Sequence, residues 1–125
     1  MSVTAVRHAP VPNAVLAKAT LRAAEYLGLG AAEVGQVIGV SEATMSRVRS
    51  GQRGIDPESK DGQLALLLVR LFRALDSVVG NDDRKGRLWL ESYNRALNGV
   101  PRELIKTPLG LVRTVDYLDG MRATL

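Results

Sequence analysis

Cysteine is absent from the 125 residues. That excludes a disulfide-stapled scaffold, a thiolate metal centre and a cysteine nucleophile. His8 is the only histidine, and one imidazole without a partner builds neither a His-based metal site nor a Ser/His relay. It lies in a Pro-containing N-terminal stretch and reads as an ordinary solvated side chain. Aromatics are scarce, with one Trp, one Phe and three Tyr. The core therefore has to come from Leu, Val, Ile and Ala, a composition that suits helices better than sheet. No apolar run reaches the ~20 residues of a membrane helix, and the N-terminus lacks the basic-then-apolar order of a secretion signal. The expectation is a cytoplasmic chain without membrane contact. With no glycine-rich phosphate loop and no nucleophile–base pair, the chain offers no candidate for catalysis, for a cofactor or for a metal.

The residues that are present are 46% hydrophobic, with a formal net charge of +4. This is ordinary for a globular chain and too apolar for a disordered one. The position of the charge is more telling than its total. Between Ser41 and Arg53 stand three arginines (Arg47, Arg49 and Arg53) against the single acid Glu42.

Periodicity and punctuation divide the chain into helices, and no segment reads as a strand, so the expected fold class is all-α. Residues 1–12, with Pro10 and Pro12, read as a flexible arm. Asn13 is a candidate cap for a helix with Leu16, Ala19/Thr20, Ala23 and Leu27 on one face, stopped by Gly28 and Gly30. Short helices are expected at 31–38 and, capped by Ser41, up to Arg49. Asp56-Pro57 is a candidate start for the next element. The stretch Gln63 to Val79 carries two apolar stripes, Leu64, Leu67/Leu68, Leu71, Leu75 and Val78/Val79 on one side and Leu66, Val69 and Phe72 on the other. A helix apolar on two sides is central to a core or shared with a second copy. After Gly80-Asn81, a helix opened by Asp82/Asp83 is expected to carry Leu88, Trp89, Tyr93 and Leu97 and to close at Asn98-Gly99, with Trp89 and Leu90 in the core. A short turn at 101–105 follows, and then a helix capped by Thr107-Pro108 with Leu111, Val112, Val115 and Leu118 inward.

The segment AAEVGQVIGVSEATMSRVRSGQRG has the spacing of a helix-turn-helix. That motif needs a small residue inside its first helix, glycine in the turn and apolar pins on its second helix. Gly35, Gly39 and the set Ile38, Val40, Met45 and Val48 supply these. The outward positions Ser41, Glu42, Ala43, Thr44, Ser46, Arg47 and Arg49, with Gln52 and Arg53 beyond, are then the candidate DNA-binding residues. Arg47 has the donors to read guanine and Glu42 the acceptor for cytosine; Ser41, Thr44, Gln52 and Arg53 are placed to hold phosphates. Two residues depart from the common pattern: Gly35 stands where alanine is frequent, and Ala31 where a phosphate-binding glutamine often occurs.

On its residues alone, the C-terminal half is a helical bundle that buries core, dimerises or senses a ligand, making the chain a plain repressor. The string RLWLESYNRALNGVPRELIKTPLGLVRTVDYLDGM, taken with the helix-turn-helix, resembles the Xre/MbcA/ParS antitoxin family. The likeness spans about residues 13–125, and Trp89-Leu90, Asn94, Ala96-Leu97, Gly99, Pro101, Leu104, Thr107, Gly110, Val115 and Leu118 carry it in order. The resemblance implies an N-terminal Xre-like helix-turn-helix bundle at 13–62, a connecting or dimerisation helix at 63–80 and a toxin-binding domain at 81–125. It further implies a RES-domain toxin partner that consumes NAD, operator DNA as a second partner and self-association into a homodimer. Asn94, Gly99, Pro101, Leu104, Thr107 and Gly110 become candidate toxin-binding residues by the same likeness. Tyr117, Met121 and Arg122 join them as outward positions of the last helix.

Overall fold

The computed structural model describes residues 12–125. The arm expected over residues 1–12 therefore lies, Pro12 apart, outside the described residues, as does His8. Seven helices account for the described chain: α1 (Asn13–Leu27), α2 (Ala31–Ile38), α3 (Glu42–Arg49), α4 (Lys60–Val78), α5 (Asp83–Glu91), α6 (Pro101–Leu104) and α7 (Pro108–Arg122). None of them is long and apolar enough to cross a membrane.

The helix ends follow side-chain chemistry closely. Gly28 takes a left-handed φ of 73° and closes α1. The Ser41, Ser59, Asp82 and Thr107 side chains accept hydrogen bonds from the backbone N–H three residues on, capping α3, α4, α5 and α7. Such caps satisfy N–H groups that a helix cannot bond internally.

Helix α4 is the centre of the packing. Gly62, Ala65, Leu68, Leu71, Ala74 and Leu75 are buried along it. Its most extensive partner is α7, followed by α1 and α2. Leu111, Val115 and Leu118 of α7 and Leu16, Ala24 and Leu27 of α1 join the same cluster. One core therefore serves both ends of the chain. Arg70 reaches across the α4–α7 seam to Asp119 at 2.6 Å.

Five expectations need correction. Asn13 is the first residue of α1, with Pro12 in the capping position and no side-chain cap bond. Asp56-Pro57 forms a turn that leads into α4, and Ser59 is the cap. Helix α5 ends at Glu91 and does not reach Asn98-Gly99. There the Ser92 hydroxyl donates back to the Leu88 carbonyl at 2.6 Å, and Ser92 itself is extended. Leu88 and Tyr93 consequently point to solvent, at 64% and 61% exposure. Val112, expected inward, is 39% exposed, and Thr114 fills the buried position instead, its hydroxyl bonded to the Gly110 carbonyl.

Because α7 closes the core over α4, removing it should unfold more than itself. A chain ending at Leu104 loses Leu111, Val115 and Leu118 together, each contributing about 1.5–3 kcal/mol of burial, against a typical total stability of about 5–15 kcal/mol. We expect urea titration followed by circular dichroism to show no cooperative transition for that chain. Leu71→Ala in the full chain should keep the transition and cost about 2–5 kcal/mol. A truncated chain that unfolds as sharply as the full one would contradict the shared core.

Candidate nucleic-acid and partner interfaces

The α2–turn–α3 unit is built by two glycines. Gly39 takes φ +78°, and its N–H bonds to the Gly35 carbonyl at 2.8 Å, with the Val40 N–H on the same oxygen at 2.9 Å. A Cβ on Gly35 would stand 2.9 Å from the Val40 carbonyl oxygen and 3.2 Å from Met45 Cγ. Close approach at this point is what lets α3 cross α2. Met45 and Val48 then drive into the core at 1% and 3% exposure.

With those two pins inward, Glu42, Ala43, Ser46, Arg47 and Arg49 are all exposed, as are Ser41, Gln52 and Arg53. Thr44 is half-buried. Ser41 is engaged in capping, its oxygen accepting from the Thr44 N–H at 3.1 Å. Arg47 leans back to the Thr44 hydroxyl at 3.4 Å. The candidates divide by position. Ser41, Thr44 and Arg53 line a cleft shared with Lys60 and Asp61 at the start of α4, while Arg49 turns the other way, toward Leu29 and Ala31. Lys60 was not among the sequence candidates. Only the fold brings the first residue of α4 beside the N-terminus of α3, and no local signal announces it.

The residues singled out in the C-terminal half mostly shape its backbone. The Asn94 side chain accepts from the Leu97 N–H at 2.9 Å, and Asn94 and Gly99 exchange backbone bonds at 2.8 and 3.2 Å. A Cβ on Gly99 would meet the Leu104 side chain at 2.9 Å, and one on Gly110 would overlap the Leu104 carbonyl oxygen at 1.8 Å. Pro101 opens α6 and is buried. Leu104 is half-buried, and Thr107 caps α7. Of the positions chosen on the last helix, Tyr117 is half-buried and stacks on Trp89 with ring centroids 6.3 Å apart. Met121 packs against the core and Arg122 is exposed. The exposed large apolar side chains of this half are Leu88, Tyr93, Leu109 and Leu125, with Val112 one turn beyond Leu109 on α7.

Arg102 joins the two halves. Its guanidinium donates twice to Glu33 of α2, at 2.6 and 2.8 Å, once to Glu91 at the end of α5, at 2.9 Å, and once to the Gly28 carbonyl closing α1, at 3.0 Å. The paired hydrogen bond from Arg102 holds the Glu33 carboxyl below its ordinary pKa, and Glu33 in turn holds the guanidinium above its own. Such a fork-to-carboxylate pair fixes orientation as well as adding energy. Sequence reading had no means of finding this link between residues 69 positions apart.

A helix-turn-helix with a solvent-facing second helix, bolted to a helical half that keeps apolar side chains in water, defines a DNA-binding-type fold with a protein-interaction domain. The family models agree, with an antitoxin Xre-like helix-turn-helix domain matching residues 6–70 and an antitoxin Xre/MbcA/ParS C-terminal toxin-binding domain matching residues 74–123. The chain belongs to the Xre/MbcA/ParS antitoxins. Among solved structures it is similar to a chain of the M. tuberculosis MbcT–MbcA toxin–antitoxin complex, with 27% identity and a TM-score of 0.66 over 89% of this chain and 96% of the other. No curated protein sequence matches it.

The Arg102 junction gives a pH-dependent prediction. Arg102→Ala should cost about 1–3 kcal/mol, the range for hydrogen bonds to charged groups. Since Glu33 has a lowered folded-state pKa, its contribution is fully present above its unfolded-state pKa of about 4.3 and fades as pH falls through the lower folded value. The stability gap between wild type and variant, read from urea midpoints, should therefore narrow below that pH. A gap that widens on acidification would exclude the pairing as its source.

Proposed function

We propose that this antitoxin neutralises an NAD-consuming toxin of the RES class and represses its own operon, acting as a homodimer in the cytoplasm. The observation that carries the reading is a pair of separate exposed surfaces on one core. One is the basic outer face of α3, the other a set of exposed apolar side chains on α5, the loop after it and α7. The toxin's RES class and its use of NAD come from the family resemblance. The protein that is similar in structure is described as part of a toxin–antitoxin complex, which favours the same kind of partner here.

On the DNA side, Arg47 is the reader and Arg53 with Lys60 the phosphate clamp. Phosphate contacts set register without sequence preference, whereas a bidentate arginine discriminates guanine. Two copies are needed because one short recognition helix reads few bases, and dimers place two half-sites about one helical turn apart. On the toxin side, Leu88, Tyr93, Leu109 and Val112 supply the apolar contact, with Tyr117 and Arg122 further along α7 as additional contacts. An antitoxin of this kind works by covering a cleft and so needs no catalytic group.

Two measurements test the reading. In gel-shift titrations, Arg47→Ala should lose about 1–3 kcal/mol on operator DNA and relax one base position. Lys60→Ala should weaken operator and random DNA alike and flatten the salt dependence. Wild-type affinity that is equal for operator and random DNA would remove the repressor role. In growth rescue against a co-expressed RES-domain toxin, Arg47→Ala should protect fully. The double variant Leu109→Ser, Val112→Ser should lose protection while keeping its circular dichroism, each truncation costing about 1–3 kcal/mol of binding if central. Undiminished protection by the folded double variant would place the toxin contact elsewhere.

A further inference from the structure

Hydroxyl side chains on or at the ends of these helices tend to bond backward along their own helix. Those of Thr20, Ser77, Ser92 and Thr114 each donate to the carbonyl four residues earlier, an ordinary local partner for Ser and Thr in a helix. Thr44 departs from this habit. Its hydroxyl oxygen accepts from the Ser41 hydroxyl at 3.1 Å and from Arg47 Nη2 at 3.4 Å, and among the described residues it makes no bond to a carbonyl. The cap of α3 does not need that hydroxyl. Ser41 is bonded there by the Thr44 backbone N–H, which any residue but proline supplies.

Arg47 is held from both ends. Its carbonyl receives the Gln52 and Arg53 N–H groups at 3.0 and 3.2 Å and the Ser50 hydroxyl at 3.1 Å, so the turn after α3 closes on this residue. Its guanidinium rests on Thr44 and takes part in no ion pair among the described residues. Residues at this spacing are neighbours along one side of a helix, and the row Arg47, Thr44, Ser41 runs toward the N-terminal end of α3. That is the end whose residues face base edges in a major groove. Each terminal nitrogen of a guanidinium carries a pair of hydrogens. One Nη2 hydrogen on Thr44 leaves the other, with those of Nη1, for a paired contact to guanine.

We propose that Thr44 is a positioning residue for base readout, its hydroxyl holding the Arg47 guanidinium along α3 in the orientation that meets guanine. On sequence grounds Thr44 stood among the phosphate holders, and the proposal reassigns it. A phosphate in the adjoining cleft meets the full charges of Arg53 and Lys60, beside which a neutral hydroxyl already engaged twice adds little. A free arginine side chain samples many rotamers and loses that freedom on binding, whereas one already seated on Thr44 loses less. Removing the hydroxyl therefore weakens discrimination between sequences and leaves the sequence-independent attraction to phosphates in place. The proposal rests on the DNA-binding reading above and on neither the toxin contacts nor the oligomeric state.

The test is a double-mutant cycle read by gel-shift titration of the full-length chain on two probes. One is a duplex from the promoter region of the chain's own gene; the other has the same length and composition in scrambled order. Thr44→Val keeps the side-chain shape and removes the hydroxyl, while Thr44→Ser keeps the hydroxyl. Thr44→Val should weaken promoter binding about three- to tenfold and leave scrambled DNA and the salt slope unchanged. In an Arg47→Ala background it should have no effect, because the group it orients is gone. Thr44→Ser should bind as wild type does. Should Thr44→Val fail to fold by circular dichroism, Thr44→Ala carries the same cycle. A loss equal on both probes, or one that persists beside Arg47→Ala, marks a phosphate contact and overturns the proposal. Unchanged promoter affinity, or a Thr44→Ser chain as weak as Thr44→Val, overturns it too. A wild type that binds both probes alike removes the DNA-binding reading and this inference with it. A discriminating wild type with a silent Thr44→Val removes this inference alone.

Discussion

Burial of the Leu68, Leu71 and Leu75 row of α4, each at 0–1% exposure, is the constraint on which both surfaces of the molecule depend. The row is closed by α7 over one side and by α1 and α2 over others, so neither the N-terminal nor the C-terminal half has a complete core without α4. The start of that helix is equally fixed. A Cβ on Gly62 would lie 1.7 Å from the Asp56 carbonyl oxygen, so only glycine lets the Asp56–Pro57 turn close against α4. The boundary between the two family models falls at 70 and 74, inside this helix. The two halves that sequence reading separates are, physically, two coats on one rod.

Where sequence reading succeeded, the deciding chemistry was local. Gly28 and Gly39 with positive φ, the caps Ser41, Asp82 and Thr107, and Pro108 at the first helical position all act within four residues of where they stand. Such signals survive without knowledge of the fold. The failure at α5 has the same origin. Leu88, Tyr93 and Leu97 continue a helical spacing on paper, but Ser92 turns its hydroxyl to Leu88 and Asn94 folds the chain onto Gly99. Leu97 still reaches the interior, at 5% exposure, by way of a loop. Periodicity records which residues are apolar and not by which path they arrive.

The division of the C-terminal candidates follows from the same physics. Gly99, Pro101, Thr107 and Gly110 are recognisable in a sequence because backbone geometry demands them, and geometry that demands a residue usually employs it internally. Gly110, wedged against the Leu104 carbonyl, cannot accept even a methyl group. Residues that meet a partner have no such local requirement. Leu88, Leu109 and Val112 look like ordinary core residues in a helical pattern, and only the packing reveals that they are left outside. An exposed apolar side chain is informative because the core had the opportunity to take it and did not.

Arg102 makes the consequence for function concrete. By holding Glu33, Glu91 and the Gly28 carbonyl in one fork, it fixes the first helix of the helix-turn-helix against the corner from which α7 departs. Met45 and Val48 tie α3 into the cluster that α7 completes. Helix α3 and the exposed apolar side chains of α5 and α7 are therefore held at one fixed geometry, and anything that loosens the core loosens both. Core substitutions cannot separate the two surfaces, because each loses its support at the same free energy. Surface substitutions can, since α3 and α7 make no extensive contact with each other and changes at separate sites act independently. In a chain with one shared core, division of labour is confined to the outermost layer of side chains.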